Sequence, residues 1–315
     1  MPVYVLQRIL VAILTVWLIL TLAFVAIRLI PGDPVFAYLG DYATPELEAQ
    51  TRQDWGLDKP ILIQYMLYVT KAVQGDFGSS LRMGGKPVGE ILLGQYPYTL
   101  RLVILSMAVS LLLALPLGML AAVKQNSLLD LTLMTVTFFF LSMPTFWFGL
   151  LLLMVLSVQL GLFPTMGTEE GLFFLSYLKY LTLPVVCLGL HGTAMITRMV
   201  RSSVLEILHQ DYVRTGRSKG VRESALLWKH VLRNALCPIV SLVGVNLVIL
   251  LGGVVVIEVV FSRGGLGYLY VEAVASRDYP MIQGCILLIA FVVVTMNLLV
   301  DLSYALIDPR IRYTE

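Results

Sequence analysis

The chain has 315 residues, of which 58% are hydrophobic and only 13% charged, and its mean hydropathy is +0.86. A water-soluble surface needs about a quarter charged residues, so this composition excludes a soluble enzyme and makes lipid the solvent for most of the chain. Twenty-two Lys and Arg against 20 Asp and Glu leave a net charge of +2, which suits neither a nucleic-acid binder nor a polyanion sink, so what matters is where the charges sit.

A bilayer-crossing helix needs about 20 mostly apolar residues, because every backbone N–H and C=O must be satisfied within the segment. The first such run is Ile9 to Ile27. It is longer than the apolar core of about 7 to 15 residues in a secretory signal and lacks a small-x-small cleavage site, so it reads as an uncleaved anchor. From Pro31 to Tyr98 the sequence turns polar, with turns at Pro31-Gly32-Asp33-Pro34, Trp55-Gly56-Leu57-Asp58-Lys59-Pro60 and Gly75-Asp76-Phe77-Gly78-Ser79-Ser80. Between them Thr44 to Thr51 reads as a helix, with Thr44 as N-cap, Pro45 at the first helical position and Glu46 and Glu48 near the positive end of the dipole. Ile61 to Val73 has helix-compatible apolar spacing. This segment is expected to be a small folded subdomain that covers helix ends or docks a partner. Gly84-Gly85-Lys86-Pro87 resembles the tail of a phosphate-binding loop but fails, because Ser80 stands where glycine is needed and Pro87 where Ser or Thr is needed.

Five more spans follow. Leu102 to Val123, Ile239 to Ile257 and Met281 to Val300 carry no charge. The uncharged run Leu131 to Phe163 is too long for a simple crossing and predicts a helix with Pro144 inside it and an apolar extension at its outer end. Leu181 to Thr197 is short and contains Pro184 and His191. Six crossings put both termini on one side, and Arg198, Arg201, Arg214, Arg217, Lys219, Arg222, Lys229 and Arg233, with Arg310 and Arg312, assign that side to the cytoplasm. Residues 31–98 and the loops near Gly161 to Gly171 and Phe261 to Pro280 then lie outside. The fold class expected is an all-α polytopic membrane protein with three regions: residues 1–30 with the first span, an external subdomain over 31–98, and a five-helix core over 99–315.

The basic loop, residues 201–236, is the most informative stretch. Asp211 can cap a short helix running through Ser218, and Gly220 suits the left-handed residue that ends it. A second helix follows, with Leu227, Val231, Ala235 and Leu236 on one face, before Pro238 leads into the next span. Attraction to anionic headgroups would explain the charge, but it requires no glycine-hinged helix pair, so the pattern favours a rigid docking element. Gly216-Arg217-Ser218-Lys219-Gly220 matches the G-x-S-x-G of serine hydrolases, yet the strand–turn–helix elbow, base and carboxylate that this chemistry requires are absent from its charged, helical surroundings. An intramembrane hydrolase built on Ser218 is therefore a remote alternative, and so is a simple channel, for which the docking element would have no use.

The segment Asp211-Tyr212-Val213-Arg214-Thr215-Gly216-Arg217-Ser218-Lys219-Gly220 resembles the cytoplasmic coupling motif of ABC-importer permeases of the dipeptide, oligopeptide and nickel branch. Leu29-Ile30-Pro31-Gly32-Asp33-Pro34, Gly56-Leu57-Asp58-Lys59-Pro60 with Gln64-Tyr65, Asp76-Phe77-Gly78-Ser79-Ser80, Ser142-Met143-Pro144, Leu232-Arg233-Asn234-Ala235 and Asp308-Pro309-Arg310-Ile311-Arg312 are similar to that branch in the same order. Gly216 stands where the branch usually has alanine, and Gly264 where proline is usual, and each loosens the backbone locally. The resemblance implies a dipeptide-type permease subunit, the first of two permease chains, in the bacterial inner membrane. It also implies a second homologous permease, two cytoplasmic ATPases that bind the ATP and an external substrate-binding protein, with no cofactor, catalytic residue or nucleic acid in this chain's own account. Di- or oligopeptides are the substrate it suggests, with a nickel chelate or glutathione as alternatives. Asp211, Tyr212, Arg214 and Gly220 become the ATPase-coupling candidates.

Within the spans, Asn297, Asp301 and Tyr304 share one face of the last helix, and an intramembrane carboxylate is a functional candidate by default. A structural pair between Asp301 and Arg198 or Arg201 is the plainer expectation. Glu258, at the outer end of the fifth span, would either meet a cationic substrate or face water. His191, His209 and His230 are too widely spaced for a metal site, and Cys187, Cys237 and Cys285 read as small apolar residues rather than as redox or metal groups.

Overall fold

The computed structural model describes residues 2–29, 33–54, 56–80, 82–167 and 174–307. Ile30, Pro31, Gly32, Trp55 and the terminal motif Asp308 to Arg312 lie outside the described residues, as do the side chains of Cys237 and Tyr304. In chain order the helices are α1 (Pro2–Leu29), α2 (Pro34–Leu39), α3 (Pro45–Asp54), α4 (Ile61–Val73), α5 (Val88–Val123), α6 (Leu128–Ser142), α7 (Thr145–Leu152), α8 (Phe174–Leu208), α9 (Asp211–Ser218), α10 (Glu223–Ala225), α11 (Leu232–Val260), α12 (Leu266–Ser276) and α13 (Tyr279–Ile307). A two-residue hairpin of β1 (Ser79–Ser80) and β2 (Lys86–Pro87) precedes α5. Among the described residues five helices are long and apolar enough to cross a membrane, and α6 with the stretch Thr145–Gln159 supplies a sixth span if the pair is counted as one.

That pair corrects the expectation of one helix with Pro144 inside it. The two pieces are bent by 100°. Met143 is extended (φ −85°, ψ 125°) and Pro144 opens α7 from outside, as expected where a proline keeps the preceding residue out of the helical region. The segment then passes into π-helical turns over Leu153–Gln159. By contrast Pro184 and Pro238 sit inside continuous helices, α8 and α11. The span expected at Leu181 to Thr197 is the middle of α8, which at 35 residues is about 52 Å long and exceeds a hydrocarbon core of about 30 Å.

The chain divides into two compact units. One contains Leu100–Arg263 and the residues from Leu299 onward. Its helices meet at small residues, as membrane helices must when lipid tails give apolar contact no advantage. A Cβ at Gly118 of α5 would lie 2.6 Å from the Val200 side chain and 2.8 Å from the Thr197 carbonyl of α8. Gly189 and Gly192 of α8 bring its backbone against Ser106, Val109 and Ser110 of α5, and Gly192 also meets Asn246 of α11. Ser110 Oγ donates to the Gly189 carbonyl at 2.8 Å. Across α6 and α8, Arg201 grips Asp130 with two hydrogen bonds of 2.6 and 2.7 Å.

The other unit holds Pro2–Thr99 and Gly264–Leu298. Val88, Leu92, Leu266, Leu269, Ala273, Met281 and Cys285 form its core, and Gly284 lets α13 approach Val88 and Leu92. Thr44 caps α3 as expected, its Oγ1 accepting from the Leu47 N–H at 3.2 Å, and Asp33 caps α2 by accepting from the Val35 N–H at 3.0 Å. The segment Asp76 to Ser80 serves packing: the Asp76 carboxylate accepts from the Gly78 N–H at 2.9 Å, and Ser80 donates to the buried Asp278 carboxylate. Asp278 in turn accepts from the Met281 N–H at 3.2 Å at the start of α13. Leu266 N–H donates to Thr99 Oγ1 at 2.8 Å, fastening α12 to α5.

Candidate functional site

The basic loop folds as a knob built from its own residues. After α8 the chain turns at His209 and Gln210, and Gln210, in extended conformation with no side-chain cap bond, is the N-cap of α9. Asp211 is therefore the first helical residue rather than the cap. Its carboxylate still lies in the first turn, where the positive end of the helix dipole favours it. At the other end Gly220 has φ +76°. Its N–H bonds the Arg217 carbonyl at 3.0 Å, and the next N–H, of Val221, bonds the Gly216 carbonyl at 3.2 Å. This pair of bonds is the Schellman closure that a left-handed glycine makes possible, so the role read for Gly220 in ending the helix holds. Arg217 then reaches over the turn to Glu223 at 2.7 Å, and that guanidinium holds the Glu223 carboxyl below the usual carboxylate range.

The second helix differs from the expectation. Leu226–Val231 forms π-helical turns that run directly into α11, so the knob is continuous with the span and Pro238 lies inside the joint helix. In a π turn residues five apart share a side. Leu226 and Val231 are accordingly buried, as are Leu232 and Ala235, and Val213 of α9 is fully buried too. Leu227, expected in this row, is only half-buried, and Leu236, expected beside it, is exposed. Gly216 faces Leu226, and a Cβ there would approach its Cδ1 to 2.9 Å, so an alanine at this position would require Leu226 to shift. Tyr212 is 40% exposed and accepts a hydrogen bond from Asn234 Nδ2 at 2.7 Å, tying α9 to α11. Asn234 was visible in the sequence only as part of Leu232 to Ala235, since nothing in a 22-residue separation pairs it with Tyr212. Arg214 and Asp211 are exposed on the outer face of the knob with Trp228.

The hydrolase alternative is not supported by this geometry. Ser218 is an exposed helical residue whose hydroxyl donates to the Arg214 carbonyl of its own helix at 3.1 Å. No strained elbow presents it.

Arg201 is committed to Asp130, and Arg198 lies over the Phe138 ring at 5.7 Å. Asp130, which no sequence pattern singles out, is 4% exposed. A separation of 71 residues hides the pair from any local pattern. Asp301 is half-buried and Asn297 exposed on α13. Glu258 does not face water: it is fully buried, as is Arg263, whose N–H donates to the Glu258 carbonyl at 2.8 Å. His191 lines an open cavity of about 370 Å³ with Ser142, Met143, Pro144, Thr145 and Leu188. His209 meets the Leu205 carbonyl at 2.7 Å, and His230 is exposed in the π segment. Cys187 and Cys285 are fully buried, Cys187 donating to the Thr145 carbonyl at 3.3 Å and Cys285 sitting in the apolar core of its unit.

Residues 114–313 match the family described as binding-protein-dependent transport system inner membrane component, and residues 1–103 match its N-terminal membrane component. The chain belongs to this family. It is a multi-pass inner membrane permease of a binding-protein-dependent ABC importer. The permease is 39% identical over 318 residues to the oligopeptide transport system permease protein AppB of Bacillus subtilis, covering 99% of this chain and all of that one. It is 40% identical over 310 residues to the glutathione transport system permease protein GsiC of Escherichia coli, covering 98% and 99%. Its fold is similar to a chain of the inward-facing MetNI methionine ABC transporter, with a TM-score of 0.56 at 20% identity over 69% of this permease and 96% of that chain.

Proposed function

We propose that this permease forms half of the membrane pathway of an ATP-driven importer for di- or oligopeptides, with α9 as the helix that docks on an ATPase. The observation that carries the reading is the construction of the knob. α9 is closed by the Gly220 Schellman turn, bolted to α11 through Tyr212 and Asn234 and continuous with a membrane span through the π turns. A helix pushed at its exposed face would pass that motion to the span with little loss. Asp211, Tyr212 and Arg214 present the docking surface, and Gly220 sets its angle. On this reading a second homologous permease, two cytoplasmic ATPases that bind ATP and draw together, and an external binding protein that delivers substrate complete the importer. In this division of labour the permease makes and breaks no bond, both termini are cytoplasmic, residues 31–98 lie on the outer side and residues 201–236 on the inner.

Gly220→Val tests the docking role. A β-branched residue at φ +76° carries a strain of at least about 1–2 kcal/mol, which reopens the Schellman turn while leaving the spans intact. The expected outcome is normal insertion and assembly with loss of substrate-stimulated ATP hydrolysis in vesicles. Full stimulation would overturn the assignment.

A second reading, glutathione as substrate, is favoured by the 40% identity to the glutathione permease. Titrating the cognate binding protein with short peptides and with glutathione separates the two: the solute that it binds tightly and that drives uptake is the substrate.

A further inference from the structure

We propose that α4 is not part of a water-exposed subdomain but lies in the membrane interface, with its outer face in the lipid leaflet at the C-terminal end of α1. The inference requires only that α1 crosses the bilayer and is independent of substrate and partners.

Thirteen residues make α4, and none of them is buried. One face is fixed to α1. Tyr65 Oη and Thr21 Oγ1 share a hydrogen bond of 2.7 Å, and Gln64 Oε1 accepts from Arg28 at 2.7 Å. The rings of Tyr65 and Tyr68 stand 5.2 and 5.5 Å from that of Phe24. Thr21 and Phe24 lie inside the apolar run Val5–Ala26, so the Tyr65 and Tyr68 contacts are within the last turns of the span, and the Gln64–Arg28 contact lies just past its end. At a rise of about 1.5 Å per residue, Thr21 is about 7.5 Å below Ala26. That places α4 at the depth of an interfacial amphipathic helix, about 5–10 Å into the boundary between headgroups and acyl chains.

The opposite face is apolar and uncovered. Leu62, Met66 and Val73 recur at helical spacing and are 64%, 60% and 79% exposed, with Ile63 beside them at 44%. In water this row would be a costly patch on so short a helix. At the same depth α1 itself exposes Leu18, Leu22 and Val25, so a medium that accommodates one row accommodates the other. The polar groups lie away from the row: Lys71 Nζ donates to the Asp54 carbonyl at 3.4 Å and Arg28 is held by Gln64, so the row itself presents only apolar side chains to its surroundings. The occupant of the exposed row is therefore lipid.

The test uses the complete transporter in phospholipid vesicles, with Cys187, Cys237 and Cys285 replaced. A nitroxide attached at Met66→Cys is expected to collide severalfold more often with dissolved oxygen than with a water-soluble nickel chelate. The same label at Glu46→Cys, on the exposed side of α3, is expected to show the reverse ratio. Preference for the aqueous reagent at position 66 would overturn the proposal, and so would exclusion of both reagents, which would mean that a protein subunit covers the row. Val73→Cys repeats the measurement if the first variant fails to assemble.

Discussion

At the scale of single residues the least replaceable interaction described is the clasp between Asp130 and Arg201. The Asp130 side chain is 6% exposed and that of Arg201 25%. Removing one partner leaves the other poorly solvated, a loss that outweighs what the intact pair contributes against an apolar alternative. Asp130→Asn is expected to cost about 2–3 kcal/mol, between the values for buried and for surface pairs, read as a lower thermal midpoint of the purified complex. Arg201→Lys should recover only part of the stability, because a point charge cannot reproduce two parallel bonds. Neither change removes a docking residue, so transport by the assembled fraction should persist. Unchanged midpoints in both variants would show that the clasp contributes nothing measurable. The sequence could not have disclosed this pair, since it displayed eight basic residues between Arg198 and Arg233 and gave no sign which of them had a partner. Thr44 and Gly220 were legible because capping is local: an oxygen reaches three residues on and a positive φ is the property of one residue. The reading of Asp211 as a cap erred by one position, within the range over which helix ends are set by neighbouring packing.

At the scale of elements, small residues decide how closely the helices approach. Gly118→Ala places a methyl group within 2.8 Å of both a side chain and a backbone carbonyl of α8, and backbone cannot move aside as a flexible side chain can. Overpacking of this kind costs about 1–3 kcal/mol. The expected result is reduced yield of folded permease and easier proteolysis. Gly94→Ala, where a Cβ meets nothing within 4 Å, should be neutral, and equal effects of the two would reject the packing argument. Five of the apolar runs coincide with helices long and apolar enough to cross a membrane, because length and hydropathy suffice for that. They did not announce what happens to three prolines. Pro144 breaks its span while Pro184 and Pro238 ride inside theirs, a distinction set by the extended backbone at Met143 and by the surrounding helices rather than by composition. Nor did periodicity foresee the π turns, which moved the buried position from Leu227 to Leu226.

At the scale of the whole molecule, the permease is one chain of a larger assembly, and some of its residues make sense only there. Asp301 is half-buried near the end of α13. We expect Asp301→Asn to lower the amount of assembled transporter, measured by co-purification of the partner permease and ATPases, without altering which solutes compete for uptake. Normal assembly with a changed substrate preference would move Asp301 into the pathway. The broad identity of the chain was legible from a handful of motifs, whereas the substrate was not, because delivery by a binding protein leaves few marks of selectivity on the permease itself.

The unbroken passage from the π turns into α11 also fixes the phase of the knob. Because no flexible joint lies between Leu226 and Val260, an added residue before Pro238 could not be absorbed as slack. It would turn α9 by about 100° around the axis of the span and raise it by about 1.5 Å, pointing Tyr212 and Arg214 away from whatever they meet. Length in this joint is thus constrained like the tooth spacing of a gear: a change of one residue alters direction rather than distance.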